Sequence, residues 1–123
     1  MARSKLWSAA LAAAVTLASA ASAQTPEMAR GAAVYDDRCS GCHVLDGVGE
    51  GPNLRGVMGR KAGTLTGFEF TPALKSSGVT WTMANLDRWL LGPQKLVPGT
   101  AMTTIVPDAR ERSDLIAYLA ALR

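Results

Sequence analysis

Histidine occurs once in these 123 residues and cysteine only twice. One His and two Cys fall short of the four ligands a structural zinc site needs. Aromatic side chains are sparse, with three Trp, two Tyr and two Phe, and there are no blocks of like charge. No repeat or low-complexity linker interrupts the chain. No segment beyond residue 23 alternates apolar and polar residues with period two, so strands are not expected. A membrane span wants about 20 strongly apolar residues, and the longest run, Leu6 to Ala18, is too short and too rich in Ala to supply them.

That run fits a different role. Arg3 and Lys5 precede it, and the small residues Ala21-Ser22-Ala23 follow it, which is the layout of a secretory signal. Residues 1–23 are therefore read as a signal peptide cleaved after Ala23, with an uncleaved anchor as the alternative. Residues 24–123 form one domain destined for the periplasm. A domain of this size has a modest core and often relies on a metal, a disulfide or a cofactor. The whole chain has a net charge of +3. Losing Arg3 and Lys5 lowers that to +1, which gives no electrostatic case for nucleic acid.

Pro26 to Asp37 carries Met28, Ala32, Ala33 and Tyr35 at helical spacing and reads as a first helix. From Asp46 to Thr66 glycine recurs so often that only an irregular loop fits. A structureless stretch of that length argues against a compact domain unless it wraps something that is not protein. Three short helices are expected after it. Thr71-Pro72 starts one that Gly78 stops, and Thr82 caps a second that runs through Leu86, Trp89 and Leu90 to Gly92-Pro93. The third spans Pro107 to Leu122, with Leu115, Ile116, Leu119 and Leu122 on its apolar face and Arg112 on another. The fold class is all-α.

The cysteines and the histidine are not scattered. Cys39-Ser40-Gly41-Cys42-His43 is the C-x-x-C-H pattern of covalent haem attachment. Two thiols three positions apart reach the two vinyl groups on one side of a porphyrin, and the adjacent imidazole falls beneath the iron. A disulfide across so tight a loop gains little by chain entropy and is more often redox-active than structural. A thioredoxin-like C-x-x-C needs a βαβ context that this sequence lacks. With no second histidine, bis-His ligation within one chain is excluded. The other axial donor is sought among Met28, Met58, Met83 and Met102, each of which also suits a role as core filler. Met102 stands apart, in an extended segment after Pro98-Gly99 and between threonines.

Together these residues resemble the class I c-type cytochromes of bacteria and mitochondria over nearly the whole of residues 24–123. Gly31 and Tyr35 match the family's first helix, and Leu115 and Tyr118 match the residues they pack against on the last. Gly51-Pro52-Asn53-Leu54 resembles the segment whose Pro carbonyl accepts from the ring of the haem-ligating His. Gly59-Arg60-Lys61-Ala62-Gly63 and Gly78-Val79-Thr80-Trp81 resemble the stretches whose Arg and Trp face the propionates. Pro98-Gly99-Thr100-Ala101-Met102 resembles the loop that carries the ligand Met. The resemblance implies several helices wrapped around one haem c, with Cys39 and Cys42 bonded to it and His43 and Met102 on the iron. Pro52, Arg60 and Trp81 would support it.

The implied activity is one-electron transfer rather than catalysis, with no small-molecule substrate. The expected state is a monomer, and the partners are redox proteins: a membrane cytochrome complex, an oxidase or a periplasmic dehydrogenase. The exposed haem edge is expected to be ringed by Arg38, Gln94, Lys95 and Ala101, a rim thinner in basic groups than the family's. Phe70, Leu74 and Trp89 replace residues that are often polar or hydroxylated in the family. Each replacement is expected to remove a hydrogen bond. The rival readings are a haem peroxidase or gas sensor with a labile sixth ligand, and a thiol–disulfide protein.

Overall fold

Threonines, prolines and one aspartate set where the helices begin. The computed structural model describes residues 25–123, so the expected signal peptide, residues 1–23, lies outside the described residues. Helix α1, Pro26–Arg38, starts after Thr25, whose hydroxyl accepts from Met28 N at 3.3 Å. Helix α2, Pro72–Lys75, starts the same way after Thr71, and α3, Met83–Leu91, after Thr82. Helix α4 is the single turn Pro93–Leu96, and α5 is Ala109–Ala121. Ser and Thr at these positions satisfy amide groups that the first helical turn leaves free, and each cap stabilises its helix by about 1 kcal/mol. Among the described residues there is no strand, only one antiparallel bridge between Lys61 and Thr80.

Apart from one-residue shifts at the ends of α1 and α5, the structure departs from the sequence expectation at three places. Helix α2 ends at Lys75 rather than at Gly78. The hydroxyls of Ser76 and Ser77 donate to the carbonyls of Pro72 (2.9 Å) and Leu74 (2.8 Å), competing with continuation of the helix. Gly92-Pro93 does close α3, but Pro93 also opens α4, because a first-turn proline gives up an amide that would be unpaired there anyway. The last helix starts at Ala109 rather than Pro107, since the Asp108 carboxylate accepts from Glu111 N at 2.8 Å and acts as its cap. Arg112 is a further correction: expected on a face apart from Leu115 and Ile116, it is buried with them, at 7% exposure. Its Nε donates to Asp87 at 2.8 Å and its Nη1 to the carbonyls of Val106 and Pro107, so the buried charge has a partner carboxylate and two further acceptors.

Helices α1 and α5 pack on each other and frame the molecule. Gly31 makes this possible: a Cβ there would lie 2.7 Å from the Cβ of Tyr118, too close for any side chain. Tyr35 and Tyr118 pack ring on ring at 5.6 Å, and Arg30 forks onto Asp114 at 2.6 and 3.1 Å. Leu115 on α5 and Val106 before it are completely buried. The long loop is pinned at two places. Gly56 N donates to Leu122 O at the end of α5, and residues 59–62 exchange backbone bonds with 79–81. On either side of these pins, at Leu54 and at Phe68, the loop lines open space. It curves around a cavity.

Candidate haem site

The cavity has a volume of about 420 Å³, within the range of small-molecule pockets. Its walls are mostly apolar, with Leu54, Phe68 and Phe70 from the loop and Leu74, Leu86, Leu90, Leu115 and Leu119 from helices α2, α3 and α5. Cys39, Cys42, His43, Pro52, Arg60, Trp81 and Met102, the residues the sequence marked, all border this one space.

The attachment segment is a tight turn that continues from α1. Cys42 N and His43 N both bond to Cys39 O, at 3.1 and 2.8 Å. Tyr35 anchors the turn from behind by donating its hydroxyl to His43 O. Cys39 is buried, Cys42 is exposed, and neither is in a disulfide. Burial pushes the Cys39 thiol up to about 11, with Arg38 pulling weakly the other way. Cys42 is raised as well, chiefly through its contact with Glu50 at 3.4 Å. An attacking thiol in disulfide exchange needs a lowered pKa, so both directions oppose that rival reading. Among the described residues, no group of three or more His, Cys, Asp and Glu gathers to hold a metal ion.

His43 is oriented by two neighbours. Its Nδ1 lies 2.8 Å from the Pro52 carbonyl oxygen, which can only accept, so Nδ1 carries the proton and Nε2 keeps its lone pair. Gly51 leaves room for the ring: a Cβ there would sit 2.6 Å from His43 Cε1. Met102 comes from the segment between α4 and α5. Its sulfur accepts from Trp89 Nε1 at 3.2 Å, and Trp89 in turn packs edge-on against Trp81 at 5.0 Å. This corrects one expectation. Trp89 supplies a hydrogen bond instead of removing one, because the indole N–H is a donor that happens to point at the thioether.

The end of the cavity near residues 60 and 81 has a different character. Backbone pairing of Gly59 and Arg60 with Trp81 brings the two side chains to the same wall. Arg60 is half-buried, and burial lowers its pKa. It donates to Asn53 O (2.9 Å) and Arg55 O (3.2 Å) but pairs with no carboxylate among the described residues. A half-buried cation without an anion suits an acidic group entering the cavity. Phe70 and Leu74 border the cavity as apolar walls. At the mouth, Arg38 and Ala101 line the opening, with Arg38 held by Glu111 at 3.1 Å. Gln94 and Lys95 lie on α4, exposed and outside the lining. Glu50, which the sequence reading passed over, adds a negative charge beside Cys42.

Two adjacent thiols, an imidazole with one nitrogen free, a thioether and an unpaired guanidinium around one apolar cavity are the donor set for haem. The fold and this set define a small haem-binding electron carrier. The family model for cytochrome c matches residues 28–123, and the chain belongs to the cytochrome c family. Members are electron carriers rather than enzymes and hold one haem c covalently; Cys39 and Cys42 occupy the positions of that attachment motif. Cytochrome c 2.1 of Caenorhabditis elegans is 45% identical over 93 residues, covering 73% of this chain and 84% of that one. The cytochrome c-type cyt cy of Rhodobacter capsulatus is 40% identical over 87 residues, which is 69% of this chain and 44% of that longer protein. In structure, cytochrome cH from Methylobacterium extorquens superposes with a TM-score of 0.72 at 43% identity, covering 76% of this chain and 96% of its own.

Proposed function

We propose that the protein is a periplasmic, monomeric carrier of single electrons, with haem bonded to Cys39 and Cys42 and its iron held between His43 and Met102. The observation that carries the reading is the orientation of the two donors. His43 offers Nε2 because Nδ1 is committed to Pro52, and Met102 lines the same cavity with its sulfur tethered to Trp89. Bound haem supplies the one-electron Fe(III)/Fe(II) couple. The residues around it hold the ligand set constant in both oxidation states, which keeps reorganisation small. Apolar walls disfavour the extra positive charge of the oxidised state, and a thioether ligand raises the potential further. Arg60 and Trp81 would receive the propionates.

A peroxidase or sensor needs an open iron position and usually a polar distal group. The single histidine is already used on the proximal side, and Met102 is held from behind by Trp89. Electron exchange takes place through the mouth, with a redox protein such as a membrane cytochrome complex, an oxidase or a periplasmic dehydrogenase. Charge at the mouth is mixed: Arg38 is already paired with Glu111, and Glu50 is acidic. Steering of the partner by charge is therefore weak.

The test is an absorption spectrum of the exported protein, oxidised and reduced, with the mass of the chain. The expected result is a red protein whose pigment resists acidified organic solvent, a charge-transfer band from methionine to ferric iron, and a chain starting at Gln24. Colourless protein with two titratable thiols would refute the reading. Haem without the methionine band would refute the Met102 assignment alone.

A further inference from the structure

Met102 sits on a stretch with little backbone support. Thr100 N bonds to Val97 O, and the next backbone-to-backbone bond among the described residues is Val106 N to Leu90 O. Between them, the hydrogen bonds that reach the stretch come from side chains, to Met102. One of these side chains reaches back from α4. Gln94 donates its Nε2 to Thr100 O at 2.6 Å and to Met102 O at 3.4 Å, while its Oε1 accepts from Gly99 N at 3.3 Å.

The geometry follows from the local sequence. Pro93 starts the single turn of α4, which puts residue 94 in its first half. Pro98 and Gly99, the latter at φ +89°, then reverse the chain so that residues 99–102 pass back over that turn. A side chain bridging the reversal must accept from an amide and donate to carbonyls at once. A primary carboxamide does both. A lysine offers only donors and a glutamate only an acceptor.

We infer that Gln94 is a positioning residue for the axial methionine: its carboxamide clamps the 99–102 reversal and so keeps Met102 from swinging away from the iron. This rests on the assignment of Met102 as a ligand. The two ends of Met102 are then fixed by different groups, its carbonyl by Gln94 and its sulfur by Trp89. Gln94 is itself exposed, so its loss leaves no hole in the core. Its effect falls on opening of the loop rather than on global folding.

The experiment measures the rate at which cyanide binds the ferric holoprotein, a reaction that needs Met102 to leave the iron. Gln94→Ala is expected to raise that rate about tenfold, the factor for losing one or two net hydrogen bonds. Gln94→Lys, which keeps donors to Thr100 O, should lie between wild type and Gln94→Ala. Gln94→Glu should match or exceed Gln94→Ala, since its carboxylate faces two carbonyl oxygens. Urea midpoints of all four proteins should stay close together. Equal cyanide rates across the series would overturn the inference, as would rates that merely follow the urea midpoints. Should Gln94→Ala yield no holoprotein, the Lys and Glu variants give the same ordering. A wild-type protein with no methionine charge-transfer band would instead remove the ligand assignment, a separate failure visible before any variant is made.

Discussion

Trp89→Phe tests how the protein tunes its methionine. The substitution keeps an aromatic ring against Trp81 but removes the N–H that lies 3.2 Å from Met102 Sδ. It also removes volume from a residue only 7% exposed. Losing one net hydrogen bond costs about 1 kcal/mol. The smaller ring adds roughly 1–2 kcal/mol by the rule for large-to-small core changes, for a total of about 2–3 kcal/mol in a urea titration. The redox effect is separate. An N–H directed at the sulfur draws density away from it, weakens its donation to iron and so favours the reduced state. If the two oxidation states differ in this respect by a few tenths of a kcal/mol up to about 1, removing the donor lowers the potential by on the order of 10–40 mV for one electron. Trp89→Tyr is the control, because it restores a polar donor while also losing volume. Potentiometric titration of the three holoproteins decides the matter. A Trp89→Phe potential equal to or above wild type, with the methionine band intact, would refute the tuning role even if the stability loss appeared as expected.

Gly51→Ala should abolish stable haem binding, because the new methyl would lie 2.6 Å from His43 Cε1 and the ring cannot move without giving up Pro52. Haem content per chain after export reads this directly, and normal loading would count against the role assigned to Gly51. The Arg30–Asp114 fork predicts a pH dependence of stability. Its hydrogen bond to Arg30 holds the Asp114 carboxyl below its ordinary value, so its contribution is complete above about pH 4, the unfolded carboxylate value, and is lost as pH falls through the lower folded value. Asp114→Asn should therefore be less stable than wild type at neutral pH, with the gap closing in acid; a gap that widens on acidification would reverse the sign of the argument.

The two faces of the haem site were not equally legible in the sequence. The attachment side was written locally: Cys39, Cys42 and His43 lie within five residues, and covalent chemistry fixes their spacing. Proline and the threonine caps marked most helix starts for an equally local reason, since a cap needs only its own next three residues. Misplaced boundaries arose where one residue has two local uses. Pro93 both stops α3 and starts α4, and Ser76 and Ser77 end α2 through hydroxyls that helix propensity does not distinguish from neutral passengers. Arg112 was misjudged because its partners, Asp87 and two carbonyls before α5, are brought to it only by tertiary packing.

The methionine side depends on contacts between segments, and these cannot be read from spacing. Met102 bears only a weak local mark, an extended segment after Pro98-Gly99 and between threonines, and the resemblance was needed to set it above Met58 and Met83. Trp89 lies thirteen positions away and was read as a lost hydroxyl, although an indole has a donor of its own. Gln94 looked like one more rim residue short of a charge. What makes it different is the chain reversal at Gly99, which turns a surface amide back onto the loop. A donor group near a soft ligand, or a carboxamide one turn before a Pro-Gly reversal, is a sequence signal only when the reader knows which segments meet. In the proposed reading, the half of the site that grips haem is thus encoded in a short motif, while the half that would set how firmly the iron keeps Met102 is encoded in packing. Substitutions at Trp89 and Gln94 should accordingly alter potential and loop opening while leaving haem attachment intact.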